Sequence, residues 1–229
     1  MSGLHPVATG LVLAAGGSQR LGQPKQLLPY GSATLLDHVL DTARACRFDQ
    51  LLCVIGGAAE EVRARVRLDG VEMVVNPEFG EGCSSSIAAA LGAVDARSEV
   101  LVLMLGDQPG VTAATVARLL AGRGGAPVAA CGYADGRGHP LAFSRDLFGE
   151  LASLHGDKGV WTLLDRHADR AIDVPVDGPI PRDVDTWEDL RGRAQGGRRP
   201  GARRARLRRR PQSTWSRFHC PILVFYTNT

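Results

Sequence analysis

The chain has 229 residues, 44% of them hydrophobic and 22% charged, which supplies the core of one generous domain or two small ones and excludes disorder throughout. Its formal net charge of +3 joins two unlike parts: residues 191–229 hold eleven of the 27 basic residues and none of the 24 acidic ones, so a body (1–190) of net −8 precedes a tail of net +11. No segment approaches the ~18 consecutive apolar residues of a membrane helix, no basic and apolar leader opens the chain, and the five cysteines are scattered without CxxC spacing, so a cytoplasmic protein without disulfides or structural zinc is expected.

In chain order, the apolar run Val7 to Leu13 reads as a buried strand that stops at the loop Ala14-Ala15-Gly16-Gly17-Ser18. Leu36, Val39, Leu40 and Ala43 recur at helical spacing, which predicts a helix over 35–46 with Thr34 as its cap. Strand 51–55, helix 60–68 and strand 71–75 follow, the last stopped by Asn76-Pro77. An Ala-rich helix is expected over 84–94. Strand 100–105 is the most apolar of all and runs into Gly106-Asp107-Gln108-Pro109, ahead of a helix over 112–120. Solid apolar strands alternating with helices predict an α/β fold with a parallel sheet buried on both faces. Such a sheet binds ligands beyond the carboxyl ends of its strands.

The second half is less regular. Strands are expected over 127–131, 141–143 and 171–176, helices over 147–154 and 160–167, and a last helix after Asp183. Arg137-Gly138-His139-Pro140 reads as a turn. From Gly192 the chain is Arg, Gly, Ala and Pro with little apolar content, and residues 191–229 are expected to form a disordered tail outside the single domain of 1–190. The tail suits non-specific attraction to phosphates and carries no recognition motif, so no specific nucleic-acid partner is expected.

Chemistry begins in the first loop. Small residues let backbone N–H groups approach an anion, and Arg20 and Lys25 add a forked cation and a point cation a few residues on. That set suits a triphosphate. Gln23-Pro24 after Gly22 breaks the P-loop pattern, and Gly16, Gly17 and Gly22 do not make GxGxxG. Asp107, just past the most apolar strand, can hold Mg²⁺, which takes one or two carboxylates plus substrate phosphates. The alternative is a helix cap, a role that Thr112 fills better.

Leu13-Ala14-Ala15-Gly16-Gly17-Ser18-Gln19-Arg20-Leu21-Gly22-Gln23-Pro24-Lys25, followed by Gly106-Asp107-Gln108-Pro109, resembles the MobA-like nucleotidyltransferases over about residues 7–190, and within them the molybdenum cofactor cytidylyltransferases. The resemblance implies a Rossmann-like three-layer α/β/α sandwich with a mostly parallel sheet. It also implies transfer of a nucleotidyl group, CMP from CTP rather than GMP from GTP because of Ala15, to a phosphorylated acceptor such as molybdopterin, with release of pyrophosphate. By the same resemblance Leu13, Ala14, Ala15, Gly16, Gly17, Arg20 and Lys25 bind the nucleotide, Gly82, Ser84 and Ser85 help to hold it, and Asp107 coordinates Mg²⁺, approached by Asp185. Capping of helices remains the other role for Ser84, Ser85 and Asp185. Arg20, Lys25 and Asp107 are the expected catalytic residues, because an anionic acceptor needs positioning and charge stabilisation rather than a strong base. His139, Asp157 and Lys158 are assigned to the acceptor side, against plainer roles as a turn residue and an exposed lysine. A molybdoenzyme maturation partner is a further expectation. Two rival functions stay open: transfer to a sugar phosphate or another phosphorylated acceptor, and an oxidoreductase or accessory protein that keeps the fold.

Overall fold

The computed structural model describes residues 6–16 and 22–189; the expectations for Gly17, for Arg20 and for the 191–229 tail lie outside the described residues. Among the described residues the main elements follow one another as β1 (Ala8–Ala14), β2 (Pro29–Tyr30), β3 (Ala33–Thr34), α1 (Leu35–Ala45), β4 (Gln50–Ile55), α2 (Ala59–Arg65), β5 (Glu72–Val75), α3 (Cys83–Leu91), β6 (Val100–Leu105), α4 (Ala113–Arg123), β7 (Val128–Tyr133), β8 (Gly136–Ser144), α5 (Phe148–Ala152), α6 (Gly159–Arg166) and β9 (Ala171–Pro175).

Seven strands form one sheet in the order β5-β4-β1-β6-β8-β7-β9. The β5–β4, β4–β1, β1–β6 and β7–β9 pairs are parallel, and β8 runs antiparallel to both neighbours. Adjacent residues of the central strands face opposite layers. Val12 and Val102 join the side chains of α1, α2 and α4 on one face, while Leu11, Leu13, Leu101 and Leu103 join those of α3, α5 and α6 on the other. All seven residues of β1 are buried, which explains why its sequence is a solid apolar run rather than an alternating one. The result is the expected three-layer α/β/α sandwich with a mostly parallel sheet.

Helix α1 starts where Thr34 and Asp37 close a capping box, each side chain accepting from the other's backbone N–H at 3.1 Å. The other Asp37 oxygen accepts from the Arg67 N–H at 2.9 Å, so one carboxylate starts a helix and holds the chain beyond α2. That helix ends earlier than its periodicity predicts, because Val66 is extended (φ −103°, ψ 140°).

One local reading is corrected. Residues 137–140 are not a turn but part of β8, and the chain reverses at Ala134-Asp135 between paired Tyr133 and Gly136. The ladder to β7 steps from Gly138–Cys131 to Leu141–Ala130, leaving His139 and Pro140 of β8 without register partners. A proline is tolerated inside this internal strand because it sits at that bulge, where no ladder hydrogen bond is required of it. The His139–Pro140 peptide is cis.

Candidate active site

Strands β1 and β6 are parallel neighbours, with Leu13 opposite Leu105, so the loops that follow them leave the sheet side by side. Gly106 makes this crowding possible. Its N–H donates to the Leu13 carbonyl at 2.8 Å, and a Cβ placed on it would lie 2.7 Å from the Ala14 Cβ. Leu13, Ala14 and Ala15 are buried and Gly16 is exposed. Gln26, 5% exposed, lies beneath them and donates its amide to the carbonyls of Ala14 and Gly16. Sequence reasoning passed over Gln26; it shapes the loop from below while Lys25, its neighbour, faces the next strand.

The Lys25 ammonium lies 2.8 Å from Asp107 Oδ2 and 2.7 Å from Asp185 Oδ1. Three charges expected from separate parts of the chain therefore meet at one atom. Burial pulls the Lys25 pKa down, but the two carboxylates outweigh it, and the ammonium titrates above its usual range. Neither aspartate caps a helix. Thr112 caps α4, accepting from the Thr115 N–H at 3.1 Å, and Thr186 pairs with Asp189 at the start of the C-terminal helical turn. The alternative role left open for Asp185 thus falls to its neighbour, and the Asp185 side chain points to Lys25.

Residues 181–185 run along the Asp107 loop. Val184 is buried against Leu28 and Leu35, and its N–H donates to the Asp107 carbonyl at 3.0 Å. Gln108 donates to Asp183 Oδ1 at 2.8 Å and to the Pro181 carbonyl at 3.1 Å. Burial first, then the negative charge of Asp107, pushes Asp183 up to about 6. Gln108 and Asp183 were not singled out from sequence, because an amide-to-carboxylate contact across 75 residues leaves no local pattern.

Asp107 and Asp185 offer a hard, all-oxygen donor set that fits Mg²⁺ or Mn²⁺, cations that complete their shells with water and substrate phosphates. Among the described residues no group of three or more His, Cys, Asp or Glu converges to cage a metal by itself.

The predicted nucleotide-holding segment behaves differently. Ser84 is buried, and its hydroxyl donates to the Gly156 carbonyl at 2.6 Å. The Ser85 hydroxyl bonds the carbonyls of Glu78 and Gly82 and accepts from Asn76. Neither serine caps α3; Gly82 occupies that position at φ 99°. Asp157 Oδ1 accepts from the Cys83 N–H at 3.0 Å. These contacts lock the 156–159 loop onto the start of α3. Cys83 lies near enough to the carboxylates that burial, then Asp157 and Asp107, raise its thiol to about 11.

Lys158 is exposed and immediately precedes α6. His139 lies half-buried with its imidazole edge-on to the Trp161 indole, ring centroids 5.5 Å apart, and burial lowers its pKa to about 4. Trp161 was not singled out from sequence; it falls within the helix expected over 160–167.

A model of the MobA-like NTP transferase domain matches residues 10–171. Nicotine blue oxidoreductase of Paenarthrobacter nicotinovorans is 33% identical over 81% of this chain and 95% of its own length. Among solved structures, the Mycobacterium tuberculosis Rv0371c homologue from Mycobacterium sp. strain JC1 is 54% identical, covering 82% of this chain and 96% of that one with a TM-score of 0.77. The M. tuberculosis Rv0371c complex with manganese is 49% identical, covering 81% and 96% with a TM-score of 0.73.

Proposed function

The chain belongs to the MobA-like NTP transferase domain family, and from that membership we propose that it transfers a nucleoside monophosphate, CMP by preference, from a nucleoside triphosphate to the phosphate of a molybdopterin-type acceptor in the cytoplasm, releasing pyrophosphate. The observation that carries the reading is the meeting of Lys25, Asp107 and Asp185 beside the glycine loop.

In this reading the 13–25 segment cradles the triphosphate through its amides, with Arg20 and Lys25 as its cations. Asp107 and Asp185 hold Mg²⁺ or Mn²⁺, which when bound supplies charge neutralisation on the phosphates; the manganese complex of Rv0371c supports a divalent cation. The acceptor phosphate attacks the α-phosphorus in line, one P–O bond forms, and the bond to pyrophosphate breaks. Lys25 can then exchange its carboxylate partners for a phosphate oxygen and stabilise the charge that develops on the leaving group. Lys158 is assigned to the acceptor phosphate. Ser84 and Asp157, engaged with each other's segments, and Ser85, bonded to Asn76, Glu78 and Gly82, act by shaping the wall around it.

The test is a panel of four nucleoside triphosphates with Mg²⁺ or Mn²⁺, with molybdopterin, a sugar 1-phosphate or no acceptor, read by pyrophosphate release. Release from CTP that requires molybdopterin is expected. Release with the sugar phosphate instead would move the acceptor assignment, and no release in any arm would remove the proposal. The 33% identity to nicotine blue oxidoreductase over nearly all of that protein favours an oxidoreductase as the second reading. Consumption of a reduced nicotinamide without pyrophosphate release would select it.

A further inference from the structure

Strand β9 stands at one edge of the sheet, separated from β6 by β7 and β8. It is parallel to β7, and β8 is antiparallel to both β7 and β6, so β9 points the same way as β6 and ends at the same carboxyl edge. Residues 176–185, which lead from β9 to Asp185, contain neither helix nor strand. They form a strap that returns from β9 to the Asp107 loop, and single hydrogen bonds must fix its course. The first of these tie it to β7 and the β7–β8 hairpin. The Val176 N–H donates to the Gly132 carbonyl at 2.9 Å, the Ala134 N–H to the Gly178 carbonyl at 2.9 Å, and the Ile180 N–H to Asp135 Oδ1 at 2.7 Å.

The last holds centre on Gln108, the residue after Asp107. Gln108 is 5% exposed, and a buried amide costs free energy unless its hydrogens are bonded. Both go to the strap: Nε2 donates to the Pro181 carbonyl at 3.1 Å and to Asp183 Oδ1 at 2.8 Å. An ionised glutamate has no such hydrogens and would add a negative charge beside Asp107, so the amide is the group this position requires. Val184 follows, with its N–H on the Asp107 carbonyl at 3.0 Å and its side chain buried against Leu28 and Leu35. The Asp185 side chain itself is 57% exposed, so packing does not set its place. The anchoring of residues 181–184 just before it does.

We infer that Gln108 and Asp183 are positioning residues for the divalent cation: their hydrogen bond clasps the strap to the Asp107 loop and holds the Asp185 carboxylate beside that of Asp107. Both carboxylates reach the Lys25 ammonium, at 2.8 and 2.7 Å, and that shared reach is the spacing the clasp maintains. Neither Gln108 nor Asp183 touches the cation in this role; they act through the backbone that carries its two ligands. Groups that orient metal ligands in this way typically decide about 10–100-fold in metal affinity. The inference rests on Asp107 and Asp185 being the metal pair of the transferase reading above.

The probe is Mn²⁺ alone, titrated into the full-length chain without nucleotide and read by electron paramagnetic resonance. Gln108→Met and Asp183→Ala each remove one side of the clasp, whereas Asp183→Asn keeps an oxygen that accepts from Gln108 and removes the charge. Mn²⁺ affinity is expected to fall about tenfold or more in Gln108→Met and in Asp183→Ala, and to stay within about twofold of the wild type in Asp183→Asn. The double variant should bind no more weakly than Gln108→Met, because the two side chains act as one unit. Thermal unfolding without metal separates a merely structural role: a lowered midpoint with unchanged Mn²⁺ affinity overturns the inference. So does an Asp183→Asn variant as weak as Asp183→Ala, which would make the charge of Asp183 responsible and not its hydrogen bond, and so does a wild type that binds no Mn²⁺. Should Gln108→Met fail to fold, Asp183→Ala against Asp183→Asn decides alone. If the expected pattern appears while the wild type releases no pyrophosphate from any nucleoside triphosphate, the transferase reading fails and the clasp stands.

Discussion

Lys25 occupies the charge centre of the candidate site, and its geometry has a consequence for each of its partners. Two carboxylates within hydrogen-bonding distance of one ammonium repel each other once that cation is removed. Lys25→Met should therefore bind Mn²⁺ alone more tightly than the wild type, checked by titration of free Mn²⁺ with electron paramagnetic resonance in the absence of nucleotide. The same substitution should lower turnover by about 10²–10³, the usual cost of one lost charge-stabilising group, as should Asp107→Asn. Circular dichroism of both variants should match the wild type. Unchanged Mn²⁺ affinity in Lys25→Met would mean that the lysine does not compete for the carboxylates. His139 makes a second prediction at this scale. Its folded pKa of about 4 lies below the unfolded 6.5, so below pH 6.5 the unfolded chain takes up a proton that the folded one refuses. The stability tied to the neutral ring is complete above pH 6.5 and drains as the pH falls toward 4, by on the order of 1–2 kcal/mol between pH 7 and 5. His139→Gln lacks this dependence, so its midpoint of thermal unfolding should fall less than that of the wild type over that interval. Parallel curves for the two proteins would contradict the assignment.

Between elements, the docking of the 156–159 loop on α3 decides the shape of the site wall. Gly82 has φ 99°, and a Cβ there would lie 2.8 Å from Asp157 Oδ1 and 2.9 Å from the Gly156 carbonyl carbon. Gly82→Ala should lift the loop off α3 and cost more than about 1 kcal/mol in a denaturant titration. Gly80→Ala, where a Cβ meets nothing within 4 Å, should stay within about 0.5 kcal/mol. Equal midpoints for the two variants would show that the contact holds nothing in place. This docking also marks where sequence reasoning stops. The apolar strands and the α1 period were legible because each is a local pattern that burial on two faces imposes. Lys25 and Asp107 were legible because residues after parallel strands converge at one edge. The hydroxyl of Ser84 could not be assigned, because its acceptor, Gly156, lies 72 residues away. A capping role stayed open for Asp185 beside its expected approach to the metal because Thr186, the residue that starts the turn, is adjacent to it. The strand through Arg137 to Pro140 was misread for a related reason. Gly and Pro exclude a regular internal strand, and only the register slip opposite Ala130 and Cys131 makes room for them, so the pattern depends on a partner strand.

At the scale of the whole chain, the apolar clusters of the described residues draw on 8–184, within the acidic body, and eleven basic residues and no acidic ones follow in 191–229. Among the described residues no helix is long and apolar enough to cross a membrane. Shortening the chain to 1–190 should leave the stability of the body and its pyrophosphate release within about twofold, because Lys25, Asp107, Asp185 and the apolar clusters all lie within the retained residues. The same deletion converts a net charge of +3 into −8. The full chain should bind a generic polyanion such as duplex DNA at low salt and release it steeply as salt rises, since each neutralised phosphate releases counterions. The shortened chain should not bind at any salt. Sequence-dependent binding by the full chain, or retained DNA binding after the deletion, would locate the contact in the body and contradict this division of charge. A fall in turnover of tenfold or more on deletion would instead tie the basic segment to the site, where a cationic arm could approach the triphosphate that the acidic body must draw in against its own field.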